Sequence, residues 1–469
     1  MKTLTPALRK TAFFLITTLL FCLEAAARAG GGGGGHGGGG GHGGGGGGYH
    51  GGGYVGGGGG GGSLSPFGII ITIIVVVIIL VLRSKYQGKS SDNNDVENDS
   101  AYTPPHTSVS FPEGLDTAKV QTSFLEIQDA WQKKDLKNVR KWISDGVYQR
   151  YTAQFTMMNK LDQVNRLTNI RINGISPTKI STDGNYQSAN VAVSFTMNDE
   201  FLSSKYPSFN ERFMDDSDTE YWTFIKRADA TGKNMYDNNN CPNCGAPFDT
   251  KMGEISRCVG CGTLTNNASY DWVLSEITQA DDYTGAEGLE NDEKLQELTK
   301  NDKLFSVQRM EDIASNIFMQ IMLVITVGNN RILTRFAGPD TVDAIVAIKE
   351  KSKDMVFDRI YLNDVSLVDY KAGETLDLIF SLTVTFQRVL AGNKITLLDS
   401  EPRTTRYSLV LSKNINALKT PVKETVFSYE CANCGAPYTD TTDDVCTYCN
   451  APLIDLNRNW VLTDFRQDI

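Results

Sequence analysis

Histidine is almost missing from this chain of 469 residues. Four occur: His36, His42 and His50 lie in a glycine tract and His106 in a proline-flanked linker. The part expected to fold therefore has none. That removes Ser-His and Cys-His nucleophile pairs, and histidine-ligated metal sites, from consideration there. Positive charge is also short, with 45 basic against 55 acidic residues and a formal net charge of −10. A general nucleic-acid binder needs a basic surface to neutralise phosphate, so that class starts at a disadvantage. Glycine is scarce outside one place, because 27 of the 45 glycines fall within residues 30–62. The rest is ordinary globular composition, 40% hydrophobic and 21% charged over the whole chain, and the length fits roughly two to four domains.

The N-terminal quarter reads as membrane architecture. Lys2, Arg9 and Lys10 precede an apolar run from Thr11 to Leu23, and Ala27, Arg28 and Ala29 form a small-residue cleavage pattern. Residues 1–29 are therefore expected to be a secretory signal peptide, with an uncleaved first membrane helix as the alternative. The glycine tract, 30–66, has almost no side chains to bury and reads as a flexible tether. Phe67 to Leu82 follows as sixteen residues without a charge. At 1.5 Å per residue it covers about 24 Å, close to the ~30 Å hydrocarbon core of a bilayer. A buried strand would stop at about eight residues, so 67–82 is expected to be a transmembrane helix. Arg83, Lys85 and Lys89 come directly after it, while 30–66 carries no charge. The positive-inside rule then gives a single-pass protein of the cell membrane. Its glycine tract is extracytoplasmic and its C-terminal part cytoplasmic. Residues 83–113 are polar and read as a flexible linker.

The cysteines carry the strongest motif. Cys241, Cys244, Cys258 and Cys261 follow Cys-x2-Cys-x13-Cys-x2-Cys, and Cys431, Cys434, Cys446 and Cys449 follow Cys-x2-Cys-x11-Cys-x2-Cys. Each quartet is the signature of a zinc ribbon, over 241–262 and 431–450. Four thiolates fill a tetrahedral Zn2+ and leave no open position, so two structural zinc ions are expected and no catalytic one. Gly245, Gly262, Gly435 and Asn450 each follow a cysteine pair, where a left-handed turn brings both sulfurs inward. A disulfide alternative needs an oxidising compartment, which the expected topology denies. Iron binding or redox cycling are further alternatives.

The quartets also mark an internal repeat. Trp272, Val273 and Leu274 follow the first quartet at the same offset as Trp460, Val461 and Leu462 follow the second. Upstream, 170–197 lines up with 360–386, each reading as strand, glycine turn and strand. Apolar alternation marks the second strand of each copy, at Val191, Val193 and Phe195 and at Leu378, Phe380 and Leu382. Further strands are expected at Tyr221–Arg227 and Tyr407–Lys413. Each copy opens with a helical stripe, Val120, Phe124, Ile127 and Trp131 in one and Met310, Ile313, Ile317, Ile321 and Val324 in the other. Leu136, Val139 and Ile143 read as the start of a second helix in the first copy. The fold class is α+β: helices, then a curved antiparallel sheet, twice over. The two units span 114–280 and 301–469, joined by an acidic linker, 281–300.

This pattern resembles the bacterial membrane proteins with a Tim44-like domain. The order of segments carries part of the resemblance. The rest is carried by Phe124, Ile127, Trp131, Asp135 and Leu136 on the first helix, by Ile170 and Ile172, by Tyr221, Trp222 and Phe224, and by the closing Trp272. It covers most of 114–280 and, more weakly, 301–469. The resemblance implies a cone-like fold, related to nuclear-transport-factor-type and cystatin-like folds, with a large apolar pocket. It implies a non-enzymatic role, since the mitochondrial relative is a scaffold that holds a chaperone at a protein-import channel and touches anionic lipid. Two copies, two ribbons and a membrane span of its own set this chain apart, so what carries over is membrane-tethered binding or scaffolding.

The expected partners are thus the lipid bilayer and a protein or hydrophobic ligand in the pockets. A cavity is expected in each unit. It would be lined by Val120–Trp131 with Val191–Phe195 in the first, and by Ile313–Val324 with Leu378–Leu382 in the second, and could hold an acyl chain, a partner's helix or a helix of the sister unit. Two alternatives remain. One is an enzyme in such a pocket, with carboxylates such as Asp129 or Asp358 for acid–base work. The other is a nucleic-acid adaptor through the ribbons, where Lys251 and Arg257 are offset by Asp249 and Glu254 and the second ribbon has no base at all.

Overall fold

The computed structural model of the chain describes residues 109–248, 255–285, 288–352, 354–419, 424–438 and 444–467. The expected signal peptide, glycine tract and transmembrane helix, and most of the 83–113 linker, lie outside the described residues. What is described falls within one compact unit.

Helix α1 (Thr117–Lys133) starts where the Asp116 carboxylate accepts the Lys119 backbone N–H, and it stops at Lys134 in a left-handed turn. Its stripe of Val120, Phe124, Ile127 and Trp131 is buried. Helix α2 (Asp145–Lys160) begins only after Ser144, whose hydroxyl accepts the Val147 N–H. The expected helix start at Leu136, Val139 and Ile143 is thus corrected. Those side chains are buried, but 134–143 is a run of turns. The helix cannot reach back because the Ser144 backbone N–H is committed to the Leu274 carbonyl at 2.9 Å.

Strands β1 (Gln163–Asp183), β2 (Tyr186–Ser203), β3 (Glu211–Arg227) and β4 (Val273–Gln279) form an antiparallel sheet in that order. The acidic linker contains a short helix, α3 (Glu293–Thr299), whose Leu295 is buried. Next come α4 (Val307–Val327), with an apolar stripe as expected, and α5 (Pro339–Lys351). A second antiparallel sheet pairs β5 (Met355–Ala372), β6 (Thr375–Ala391), β8 (Arg403–Asn414) and β9 (Val461–Gln467), with β7 (Ile395–Leu397) on β6.

The repeat is written into the backbone irregularities. Register shifts fall between Thr168 and Arg171, Ile172 and Gly174, and Pro177 and Lys179 in β1. In β5 they fall between Asp358 and Tyr361, Leu362 and Asp364, and Leu367 and Asp369. All six positions obey the offset that separates Cys241 from Cys431. Asn169 and Arg359 both adopt left-handed backbone at the first bulge. Bulges bend a strand and increase its twist, so the same three devices curve both sheets over their helices.

The expected apolar cavities are not formed by the residues named for them. Val120, Phe124, Val191, Val193 and Phe195 are at 0% exposure in one core, and Leu378, Phe380 and Leu382 are at 0% in the other. Ile313 of the second set is partly buried, beside a small polar cavity. The cause is a shared helix. Ala153, Met157 and Leu161 of α2 belong to the second core, and Tyr361 of β5 belongs to the first. The helix of a sister unit, one of the occupants considered, covers the open side. Among the described residues, α4 is the one helix long and apolar enough to cross a membrane, and most of its apolar window is buried in this core.

Helices α2 and α4 meet closely at Gly146. A Cβ there would lie 2.5 Å from the Asp312 carbonyl oxygen and 2.7 Å from Ser315 Oγ. Asp312, on α4, accepts the Gly146 N–H at 3.0 Å and the Ser144 hydroxyl, so one half caps a helix of the other. Gly146→Ala should therefore lower stability by about 1–3 kcal/mol, the usual cost of overpacking. Gly174→Ala adds a methyl that meets nothing within 4 Å and should change it by less than about 0.5 kcal/mol. Equal urea midpoints for the two variants would refute the crossing.

Candidate metal centres

Each cysteine quartet sits in the connection before the closing strand of its sheet, between β3 and β4 and between β8 and β9. The local fold follows from the backbone. Within each pair the residue after the second cysteine donates its N–H to the carbonyl of the first: Gly245 to Cys241, Gly262 to Cys258, Gly435 to Cys431 and Asn450 to Cys446, at 2.7–2.9 Å. All four take positive φ, between 56° and 77°. This is the left-handed turn that the sequence reading required of them.

The turns bring all eight predicted ligands together as two groups of four. Within each group the sulfurs lie within 4.8 Å of one another. Cys241 and Cys261 are 3.7 Å apart, as are Cys244 and Cys258, and in the second group the pairs Cys431–Cys449 and Cys434–Cys446 stand at 3.7 and 3.8 Å. A disulfide would require about 2.05 Å. Four thiolates about 2.3 Å from a central tetrahedral ion stand about 3.8 Å apart, so the donor set fits such an ion.

Two further groups favour thiolate. The Asn243 amide donates to Cys261 Sγ at 3.5 Å, and the Asn433 amide donates to Cys449 Sγ at 3.4 Å. Hydrogen bonds from the Thr263 backbone and from Asn243 hold the Cys261 thiol down to about 6. Those from Asn433 and the Ala451 backbone do the same for Cys449, also to about 6. A metal ligand must be deprotonated, and these donors lower the cost of that state.

The ribbons are anchored to the domain bodies and to each other. Tyr236, just before the first quartet, stacks on Trp142 with ring centroids 5.0 Å apart and donates its hydroxyl to the Trp272 carbonyl. Tyr429, just before the second, donates to Gln149 of α2. Across the two, Arg257 makes a two-pronged contact with Glu430 at 2.7 and 2.8 Å, and Glu430 is buried. Each of these residues directly precedes a cysteine ligand. Leu264, Val426 and Tyr429 pack beside the pair. Two basic side chains beside the ribbons are engaged with acids, Arg257 with Glu430 and Arg458 with Asp455. Lys251, Asp249 and Glu254 lie outside the described residues.

The carboxylates considered for acid–base work are placed otherwise. Asp129 is exposed on α1 and paired with Lys133 at 2.6 Å. Asp358 is buried and paired with the adjacent Arg359 at 3.0 Å; burial raises its pKa above the usual carboxylate range. Arg359 also pairs with Glu211, so the Asp358 carboxylate is held in an ion-pair cluster.

Comparison with known proteins adds one result. Residues 116–235 match the family model of the Tim44-like domain. The matched stretch runs from the start of α1 through β3 and stops just short of Cys241. Residues 116–235 thus carry a Tim44-like domain, and the first cysteine quartet follows the matched stretch, ahead of β4. A search of the curated proteins and a search of the solved structures each found no match.

Replacing Cys244 or Cys434 with Ser should remove one metal equivalent per chain, read by elemental analysis. Arg257→Ala leaves all eight ligands in place but should speed metal loss to a chelator from both ribbons. A wild-type protein that folds with one equivalent or none would contradict the first expectation. Unchanged release rates in the Arg257 variant would contradict the second.

Proposed function

We propose that this chain is a membrane-anchored, non-enzymatic scaffold. On this reading residues 67–82 hold it in the cell membrane. The glycine tract stands outside, and two Tim44-like units, 114–280 and 301–469, are presented to the cytoplasm. The observation that carries the proposal is the Tim44-like match at 116–235, since that family is generally one of non-catalytic binding domains. The matched bulges of β1 and β5 support extending the same fold to the second half. The metal is proposed to be zinc, because all-thiolate tetrahedral sites with no open position suit it and serve stability.

The buried cores change where binding is expected. With both concave faces filled, an acyl chain or hydrophobic ligand in the named pockets loses its support, and so does an enzyme working there. Protein capture through the outer faces and ribbons is the reading that remains. Val259 and Tyr448, each between the cysteines of a pair, are 75% and 64% exposed, and large apolar side chains so placed suit a protein contact.

The test is a crosslinked pull-down of the full chain from membranes with lipid identification on the same sample, joined to cysteine labelling at position 100. Labelling at Ser100→Cys only after the membrane is opened, with a defined protein partner recovered, is the expected result. Labelling from outside would reverse the topology and reopen the disulfide account of the quartets. Recovery of lipid with no protein partner would make this a lipid-binding protein instead.

A further inference from the structure

A polar cavity of about 430 Å³ lies on the far side of the first sheet. Its floor is the face of β1–β4 turned away from α1, and its roof is the start of α4 with the middle of β5. That volume lies in the range of small-molecule sites. Few such sites are this acidic. Two of its carboxylates are neutralised, Glu276 by Arg150 at 2.8 Å and Glu290 by Lys179 at 2.7 Å. Three others are not. Asp183, Glu311 and Asp364 accept hydrogen bonds only from neutral donors: the Val307 and Gln308 backbones and the Ser306 hydroxyl for Asp183, the Leu367 backbone for Glu311, and the Ser366 hydroxyl for Asp364. Among the described residues none of the three makes an ion pair.

A second observation points to a ligand. Thr223 and Thr278 are 5% and 6% exposed and line the same cavity, and among the described residues neither hydroxyl has a hydrogen-bond partner. Two hydroxyls in one cavity wall with no partner inside the chain are open to donors or acceptors from outside it. The carboxylates come from different elements, and no three of them bring ligand atoms within 4.8 Å of one another among the described residues. A single divalent cation cannot be chelated by such a spread set. A flexible chain of ammonium groups can reach it.

We propose that this cavity binds a small linear polyamine, with ammonium groups against Asp183, Glu311 and Asp364 and with Thr223 and Thr278 accepting N–H bonds. Charge-assisted hydrogen bonds of this kind are the strong ones, and the partly enclosed site screens them little. The state of the acids agrees. Burial, then repulsion from Glu276, pushes Asp364 up to about 7 and Glu311 well above its usual range. Arg150 and Lys179 are already paired with Glu276 and Glu290, and a polycation would supply the further positive charge.

The test is calorimetric titration of the full chain in detergent with spermidine, at about 150 mM salt, where surface attraction is screened beyond ~8 Å. One saturable site is expected, with Mg2+ and a neutral sugar giving none. Glu311→Gln with Asp364→Asn should weaken it by about tenfold or more. Asp343→Asn with Glu350→Gln, on the exposed face of α5, should leave it unchanged. Thr223→Val serves as a second variant, needed if the double substitution lowers the melting temperature. Absence of a saturable site, equal binding of Mg2+, or equal loss in the α5 variant would overturn the proposal.

Discussion

The crossing of α2 over α4 is the contact on which the rest of the molecule depends. A curved sheet with a helix on its concave face leaves one side open, and apolar residues there must be covered by something. In this chain each half covers the other. Met157 and Leu161 leave the first half to enter the second core, and Tyr361 makes the return journey. The approach is close enough that only glycine fits at 146, and Asp312 fixes it by capping α2 from the other helix.

Closure moves the chemistry outward. With the concave faces spent on packing, the features left for function are the two cysteine centres and the polar space between the halves. The ribbons share the logic of the cores: Arg257 and Glu430 tie one cysteine centre to the other, next to a cysteine ligand on each side. The polar space exists because β1 to β4 put alternate residues on two faces, one apolar and one not. The second half roofs the polar face without supplying cations to match it.

Much of this was legible in the sequence. The eight cysteines, their left-handed turns, the strand order and the helical stripes follow from short-range spacing, and spacing survives translation into structure. The mistakes share a cause. The helix start at Leu136 failed because a carbonyl of distant Leu274 holds Ser144, and the pockets failed because a helix from the other half fills them. Arg257 with Glu430, and Asp364 with Glu311, were missed for the same reason. Each pair is joined only when two segments far apart in sequence are brought together by folding. Alternation in β1, with Lys179, Ser181 and Asp183 on one face, was the signal of a polar surface that could have been followed.

The central claim is that the two halves fold as one body through α2 and α4, and hydrogen exchange tests it most directly. Amides in the middle of both helices should open with the same free energy, equal to that of global unfolding, because neither half keeps its core without the other. If α2 and α4 exchange by separate openings, several kcal/mol apart and each tracking only its own sheet, then the halves are independent domains that merely touch. The concave faces would then be free to open, and the account of a closed, outward-facing scaffold would fail.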